Sequence, residues 1–149
     1  MKLRTKKYET PENSPGFKIW QMSNVWQKKM SQALEDVGLT HTQFVLLAGL
    51  YGFHEKGEET TQTKLAEKTN TDVMMTSQVL RKLEAKGYVR RKSHEMDSRA
   101  KKIFLTKKGS EIINEAMRIA EQVDGDFFTS SISDPKKLNT FLGAVNIVF

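Results

Sequence analysis

Apolar residues recur at helical spacing along most of this chain. Between Ser14-Pro15 and Val37 they are Phe17, Ile19, Trp20, Met22, Val25, Trp26, Met30, Ala33, Leu34 and Val37. That pattern predicts one helix, opened by Pro15 in its first turn and closed by Gly38 in a left-handed cap. The apolar positions spread over more than one stripe, so this helix needs two partners. Residues 1–14 carry no period and are expected to form a flexible arm.

Thr40-His41-Thr42-Gln43 has the spacing of a capping box, with Thr40 as N-cap and Gln43 reaching back. The helix it opens, to about Phe53, is apolar almost all round (Phe44, Val45, Leu46, Leu47, Leu50, Tyr51), which predicts a central core helix. Gly57-Glu58-Glu59 is a turn. A short helix follows over about 62–69, with Leu65 and Ala66 inward. Asn70-Thr71-Asp72 supplies another cap, and a longer helix runs over about 72–86 with Val73, Thr76 or Ser77, Leu80 and Leu83 toward the core. Two helices joined by a tight polar turn form a helix-turn-helix pattern.

The period changes at Tyr88. Residues 88–92 and 101–105 are short β-prone runs flanking a polar loop, and so predict a hairpin. Thr106 caps a long helix to about Phe128, and Ser133-Asp134-Pro135 begins a last one. The expected fold class is mainly α with a small β-hairpin wing: a winged helix-turn-helix between N- and C-terminal helices. The outer helices carry more apolar surface than a monomer of this size hides, which implies a homodimer.

Charge sharpens the picture. The net charge of the 149 residues is +6, yet the excess is concentrated between Arg81 and Lys108. There Arg81, Lys82, Lys86, Arg90, Arg91, Lys92, Arg99, Lys101, Lys102, Lys107 and Lys108 are opposed only by Glu84, Glu95 and Asp97. A one-sided basic zone interleaved with apolar residues suits a polyanion. The absence of cysteine excludes disulfides, thiolate metal sites and thiol nucleophiles. His41, His54 and His94 are scattered without ligand spacing, so neither metal nor cofactor is expected. No Walker, HExxH or nucleophile-elbow pattern points to an enzyme. The longest apolar run, 44–53, is half of a bilayer span, and the basic start leads into no apolar stretch. A cytoplasmic protein without membrane attachment is expected.

Residues 39–109 resemble the MarR family of bacterial transcription regulators. The resemblance rests on Gly38-Leu39-Thr40 with Gln43-Phe44, Thr61-Gln62 with Leu65-Ala66-Glu67, and Leu80-Arg81-Lys82-Leu83-Glu84 with Gly87-Tyr88-Val89-Arg90-Arg91. Its most specific part is Asp97-x-Arg99 followed by Leu105-Thr106-x-x-Gly109. Membership implies residues 15–37 as a dimerisation helix, 38–109 as the DNA-binding domain and 110–149 as C-terminal dimerisation helices. It further implies a homodimeric repressor on a pseudo-palindromic operator, released by a small aromatic or lipophilic effector. The alternative is a winged helix that binds RNA or acts architecturally on nucleic acid, without an effector.

On that resemblance Met74 and Gln78 align with positions that touch bases. Gln78 suits adenine, and Met74 and Met75 suit thymine methyl groups. Asp72 either caps the helix or accepts from cytosine, and Lys82 lies on the same exposed side. Gln62, Lys64, Thr71, Thr76 and Ser77 are expected at phosphates, positioning rather than reading. Arg99 is expected in the minor groove, braced by Asp97. Phe17, Trp20, Met22, Trp26 and Phe53 either line an effector pocket or simply build the core and dimer seam. Substituting Arg99→Ala is expected to weaken operator binding at least tenfold, about 1.4 kcal/mol, with folding intact. Titration of a labelled duplex at physiological salt measures this, and unchanged affinity excludes the minor-groove role.

Overall fold

The computed structural model describes residues 7–8, 10–93, 101–131 and 134–144. The helices are α1 (Pro15–Leu34), α2 (His41–Glu55), α3 (Gln62–Thr69), α4 (Val73–Ala85), α5 (Lys107–Ser131) and α6 (Pro135–Ala144). The strands are β1 (Thr60–Thr61), β2 (Val89–Ser93) and β3 (Lys101–Leu105). They form one antiparallel sheet in the order β1-β3-β2. Thr60 lies opposite Ile103, and Val89 opposite Leu105.

Each helix begins at a side-chain acceptor for one of its unpaired amides. Ser14 accepts from Phe17, Thr61 from Lys64, Asp72 from Met75, Thr106 from Gly109 and Asp134 from Lys137. Thr40 and Gln43 form the reciprocal box expected from their spacing. Caps of this kind contribute about 1 kcal/mol each.

The core is built on α2. Leu46, Leu47 and Leu50 pack with Leu65 of α3, Leu80 and Leu83 of α4, Val89 and Ile103 of the sheet, and Ile113 and Ala116 of α5. Met30 and Leu34 bring the end of α1 into the same cluster. At Gly49 an added β-carbon would lie 2.7 Å from the Thr69 methyl, so glycine permits α2 and α3 to approach this closely. Farther along, α1 packs on α5, and the Trp26 indole N–H donates to Asp124 at 2.7 Å.

Four local expectations need correction. The first helix stops at Leu34 and tightens into a 3₁₀ turn, Glu35–Val37, before Gly38 turns left-handed at φ +67°. The Leu39 amide reaches back to the Leu34 carbonyl across that turn, satisfying an end-of-helix acceptor. A short 3₁₀ turn at Pro11–Asn13 lies within what reads as a patternless arm. Strand β1 is new: two residues are too few to show an alternating pattern. Finally, Val73 is 44% exposed and Thr76 is fully buried. Val73 stands at the first helical position, where no preceding turn covers it. Thr76 is tolerated inside because its hydroxyl bonds the Asp72 carbonyl and the Thr71 hydroxyl, both at 2.8 Å.

The wing and α5 meet at an unusually close contact. Thr106 receives the chain from β3, its amide bonding the Tyr88 carbonyl at 3.0 Å and its hydroxyl reaching the Gly87 carbonyl at 2.7 Å. A β-carbon on Gly109 would stand 2.0 Å from the Tyr88 carbonyl oxygen and 2.9 Å from Leu105. That distance explains the glycine three residues after the Thr106 cap. Replacing Gly109 with Ala is expected to destabilise the fold by about 3 kcal/mol, at the upper end of overpacking costs. Urea denaturation measures the loss, and an unshifted midpoint refutes the contact.

Candidate nucleic-acid interface

The polar turn between α3 and α4 is held by three threonine hydroxyls in series. Thr71 Oγ1 lies 2.9 Å from that of Thr69 and 2.8 Å from that of Thr76. The outer two hydroxyls are anchored on the Leu65 and Asp72 carbonyls. Asn70 makes the reversal in the left-handed region at φ +49°, a conformation asparagine tolerates better than most residues. The Gln62 amide then donates to the Val73 carbonyl at 3.4 Å, joining the two helix starts. These bonds set the angle at which α4 is presented.

Along α4, Thr76, Leu80 and Leu83 face the core. Met74, Gln78 and Arg81 follow at spacings of four and three residues on the exposed face, with Met75 and Lys82 beside them. Met74 is the most exposed large apolar residue described, at 74%. Asp72 accepts the Met75 amide at 2.8 Å and so caps α4. Lys64 is exposed at the start of α3, while Ser77 is half-buried. Thr71 is half-buried between its two threonine partners, which makes it a brace for the turn. Complete burial removes Thr76 from any phosphate contact. Arg81 was visible only as one charge in a basic run, and helix register now sets it beside Gln78.

The wing stem extends to the pair Ser93 and Lys101. His94, Asp97 and Arg99 lie outside the described residues. Not every cation in the basic zone faces outward. Arg91 forks onto Glu84 of α4, with Nε–H and its terminal N–H donating to Oε2 at 2.8 and 2.5 Å and its backbone amide to Oε1 at 3.1 Å. Hydrogen bonds from the Arg91 side chain hold the Glu84 carboxyl below the usual carboxylate range. Lys86 bonds the Gly38 carbonyl and Gln43, and Lys108 bonds the Lys86 carbonyl and lies over the Tyr88 ring. Lys102 pairs with Glu59 at 2.6 Å. Arg81, Lys82, Arg90, Lys92, Lys101 and Lys107 are further exposed basic residues on α4, the wing stem and the start of α5.

The five residues considered for an effector pocket are dispersed. Phe17 stacks on Trp20 within α1, and Trp20 is 63% exposed. Met22 is half-buried. Trp26 meets the His41 ring edge-on at 5.1 Å while holding Asp124, where α1, α2 and α5 converge. Burial pushes the His41 imidazole below the usual histidine range, with Asp124 pulling the other way. Phe53 lies under Lys68, about 18 Å farther along α2 at 1.5 Å per residue. A cavity of about 320 Å³ lies instead between the end of α2 and the wing, lined by Leu50, His54, Arg90, Lys102 and Phe104 among others. Among the described residues no cluster of three His, Asp or Glu side chains is placed to hold a metal. None of the described helices is long and apolar enough to cross a membrane.

A family model described as the MarR family matches residues 39–101. The chain is 40% identical over 137 residues to the uncharacterized HTH-type transcriptional regulator YdcH of Bacillus subtilis, covering 92% of this chain and 91% of that protein. It shares its fold with the Mycobacterium tuberculosis transcriptional regulator MOSR, solved in complex with DNA. The TM-score is 0.71 at 22% identity, over 88% of this chain and 92% of that one. Bordetella bronchiseptica BpsR, solved in a study of how 6-hydroxynicotinic acid regulates its DNA binding, superposes with TM-score 0.77 at 19% identity. That match covers 92% of this chain and 98% of BpsR.

The Glu84–Arg91 pair predicts a pH dependence. A carboxyl with a lowered folded pKa stabilises the fold above its ordinary pKa and loses that contribution as pH falls through the folded value. Glu84→Gln should therefore be less stable than the parent protein at neutral pH, with the gap narrowing in acid. Urea midpoints at about pH 7 and about pH 3.5 check this against the ordinary carboxylate pKa of about 4.3. A gap independent of pH refutes it.

Proposed function

Because this chain belongs to the MarR family of transcriptional regulators, we propose that it acts as a homodimeric repressor of a pseudo-palindromic operator, released by a small aromatic or lipophilic effector. The observation that carries this reading is the exposed face of α4. Met74, Gln78 and Arg81 project from a helix whose start is fixed by the threonine chain and the Asp72 cap. An apolar tip, an amide and a cation along one helix match the donors, acceptors and methyl groups of a major-groove edge. Lys64 and Lys82 flank that face for phosphates, and the family resemblance assigns Arg99, braced by Asp97, to the minor groove.

Dimerisation is supported by the outer helices. Ile19, Trp20 and Val25 of α1 are 55%, 63% and 51% exposed, and Phe141 and Leu142 of α6 are 60% and 52% exposed. Apolar side chains at this density mark surface covered by a partner. A second copy covering them would pair two α4 helices, which a two-fold operator requires. For an effector, the convergence of Trp26, His41 and Asp124 offers an aromatic wall beside ionisable groups, between the outer helices and the winged helix. BpsR, whose DNA binding is regulated by 6-hydroxynicotinic acid, gives a precedent on this fold. A repressor of this kind acts in the cytoplasm.

Selection from random duplexes should return two mirrored half-sites about one helical turn apart, near 34–36 Å. Gln78→Ala should relax preference at one position in each half-site by about 1–3 kcal/mol, and Lys82→Ala should weaken all sequences alike and lower the salt slope by about 1 per protomer. Sedimentation showing only monomers at micromolar concentration, or salt-steep binding with no preferred sequence, overturns the reading. Preference for structured RNA over matched duplex does the same.

A further inference from the structure

We propose that Met74 and Met75 form an oxidation switch on the recognition helix, inactivating the regulator when a hypohalous acid converts their thioethers to sulfoxides. The inference rests on the reading of α4 as the DNA-contacting element. The chain has no cysteine, so its sulfur redox chemistry belongs to methionine alone. Met30 is buried at 1% exposure, and Met22 is half-buried. Met74 and Met75, at 74% and 39%, stand side by side on the first turn of α4. Met117, at 38%, lies on α5 and supplies an internal control away from that turn.

Neither α4 methionine is needed to fill the core, which takes Thr76, Leu80 and Leu83 from this helix. The turn that carries them is fixed nonetheless, because Asp72 accepts the Met75 amide and the Thr76 hydroxyl bonds the Asp72 carbonyl. The thioethers are thus presented to solvent from a rigid base. In the reaction, a sulfur lone pair attacks the chlorine of hypochlorous acid and hydroxide leaves. Water then adds to the chlorosulfonium sulfur, chloride departs, and the remaining protons pass to solvent. Sulfur is oxidised by two electrons and chlorine is reduced to chloride. The product replaces an apolar contact suited to a thymine methyl with a polar S=O group. Duplex covering α4 shields both sulfurs, so the unbound regulator is the form oxidised. Reduction of both sulfoxide epimers restores the thioethers.

The test exposes the full-length protein to graded sodium hypochlorite and quenches with free methionine. A mild thiol then reverses lysine chloramines. Site-resolved mass spectrometry is run beside titration of a selected duplex. Affinity should fall at least tenfold in step with sulfoxide at 74 and 75, and return after treatment with both classes of methionine sulfoxide reductase. A duplex present during exposure should protect those two positions and not Met117. In the M74L/M75L variant, whatever its starting affinity, the same exposure should leave that affinity unchanged, because no oxidisable sulfur remains on α4. Unchanged affinity of the doubly oxidised protein overturns the switch, as does equal loss in M74L/M75L. If leucine at both positions abolishes binding, the single variants M74L and M75L, together with duplex protection of the parent protein, decide the question by the same criteria. Protein that selects no duplex before oxidation overturns the DNA reading itself, whereas intact selection indifferent to oxidation overturns only the switch.

Discussion

Where the chain leaves α4, the Tyr88 carbonyl comes so near Gly109 that no side chain fits between them. The joint between the wing and the long helix depends on this approach. It fixes the root of the wing to the first turn of α5, with Thr106 bonding both backbones at once. Helix α5 then runs on to α1, where Asp124 accepts a hydrogen bond from the Trp26 indole N–H. The element that carries the outer helices is therefore continuous with the one that positions the wing.

Charge in this protein has two uses, and they are separable by geometry. Arg91, Lys86, Lys102 and Lys108 neutralise a carboxylate or tie down carbonyls, and so hold the wing stem and α4 to the body. Arg81, Lys82, Arg90, Lys92, Lys101 and Lys107 are exposed around α4, the wing stem and the start of α5. A buried or half-buried ion pair costs desolvation and is kept here by hydrogen bonds that satisfy both partners. The exposed cations carry no such cost and retain their charge for a phosphate backbone. Counting lysines and arginines along the sequence merges these two groups.

Much of the fold was legible because each helix announces itself locally. Thr40 with Gln43, Asp72, Thr106 and Asp134 stand at the starts they cap, and Gly38 and Gly87 at the ends they close. The nearly all-round apolar character of α2 located the core correctly. The exposed side of α4 was also readable, since Met74, Gln78 and Lys82 cannot share a face with Leu80 and Leu83. What escaped was shorter than a period or depended on a distant partner. Two-residue β1 exists only through its pairing with Ile103 and Lys102 of β3. Spacing left Thr76 and Ser77 both open as the core residue, and Thr76 takes the place because its hydroxyl finds two partners inside.

By itself the amino-acid order determined the succession of elements, their caps, the basic zone and the family, since these are written in residues close together along the chain. Only the tertiary structure decided which threonine braces the turn and which enters the core, which cations are tied to a partner, and that Trp26 and Phe53 sit at opposite ends of α2. Those outcomes turn on distances between residues tens of positions apart, such as Lys86 with Gly38 or Trp26 with Asp124. A hydrogen bond or a desolvated charge has its energy set by where the partner sits in space, and no local spacing encodes that.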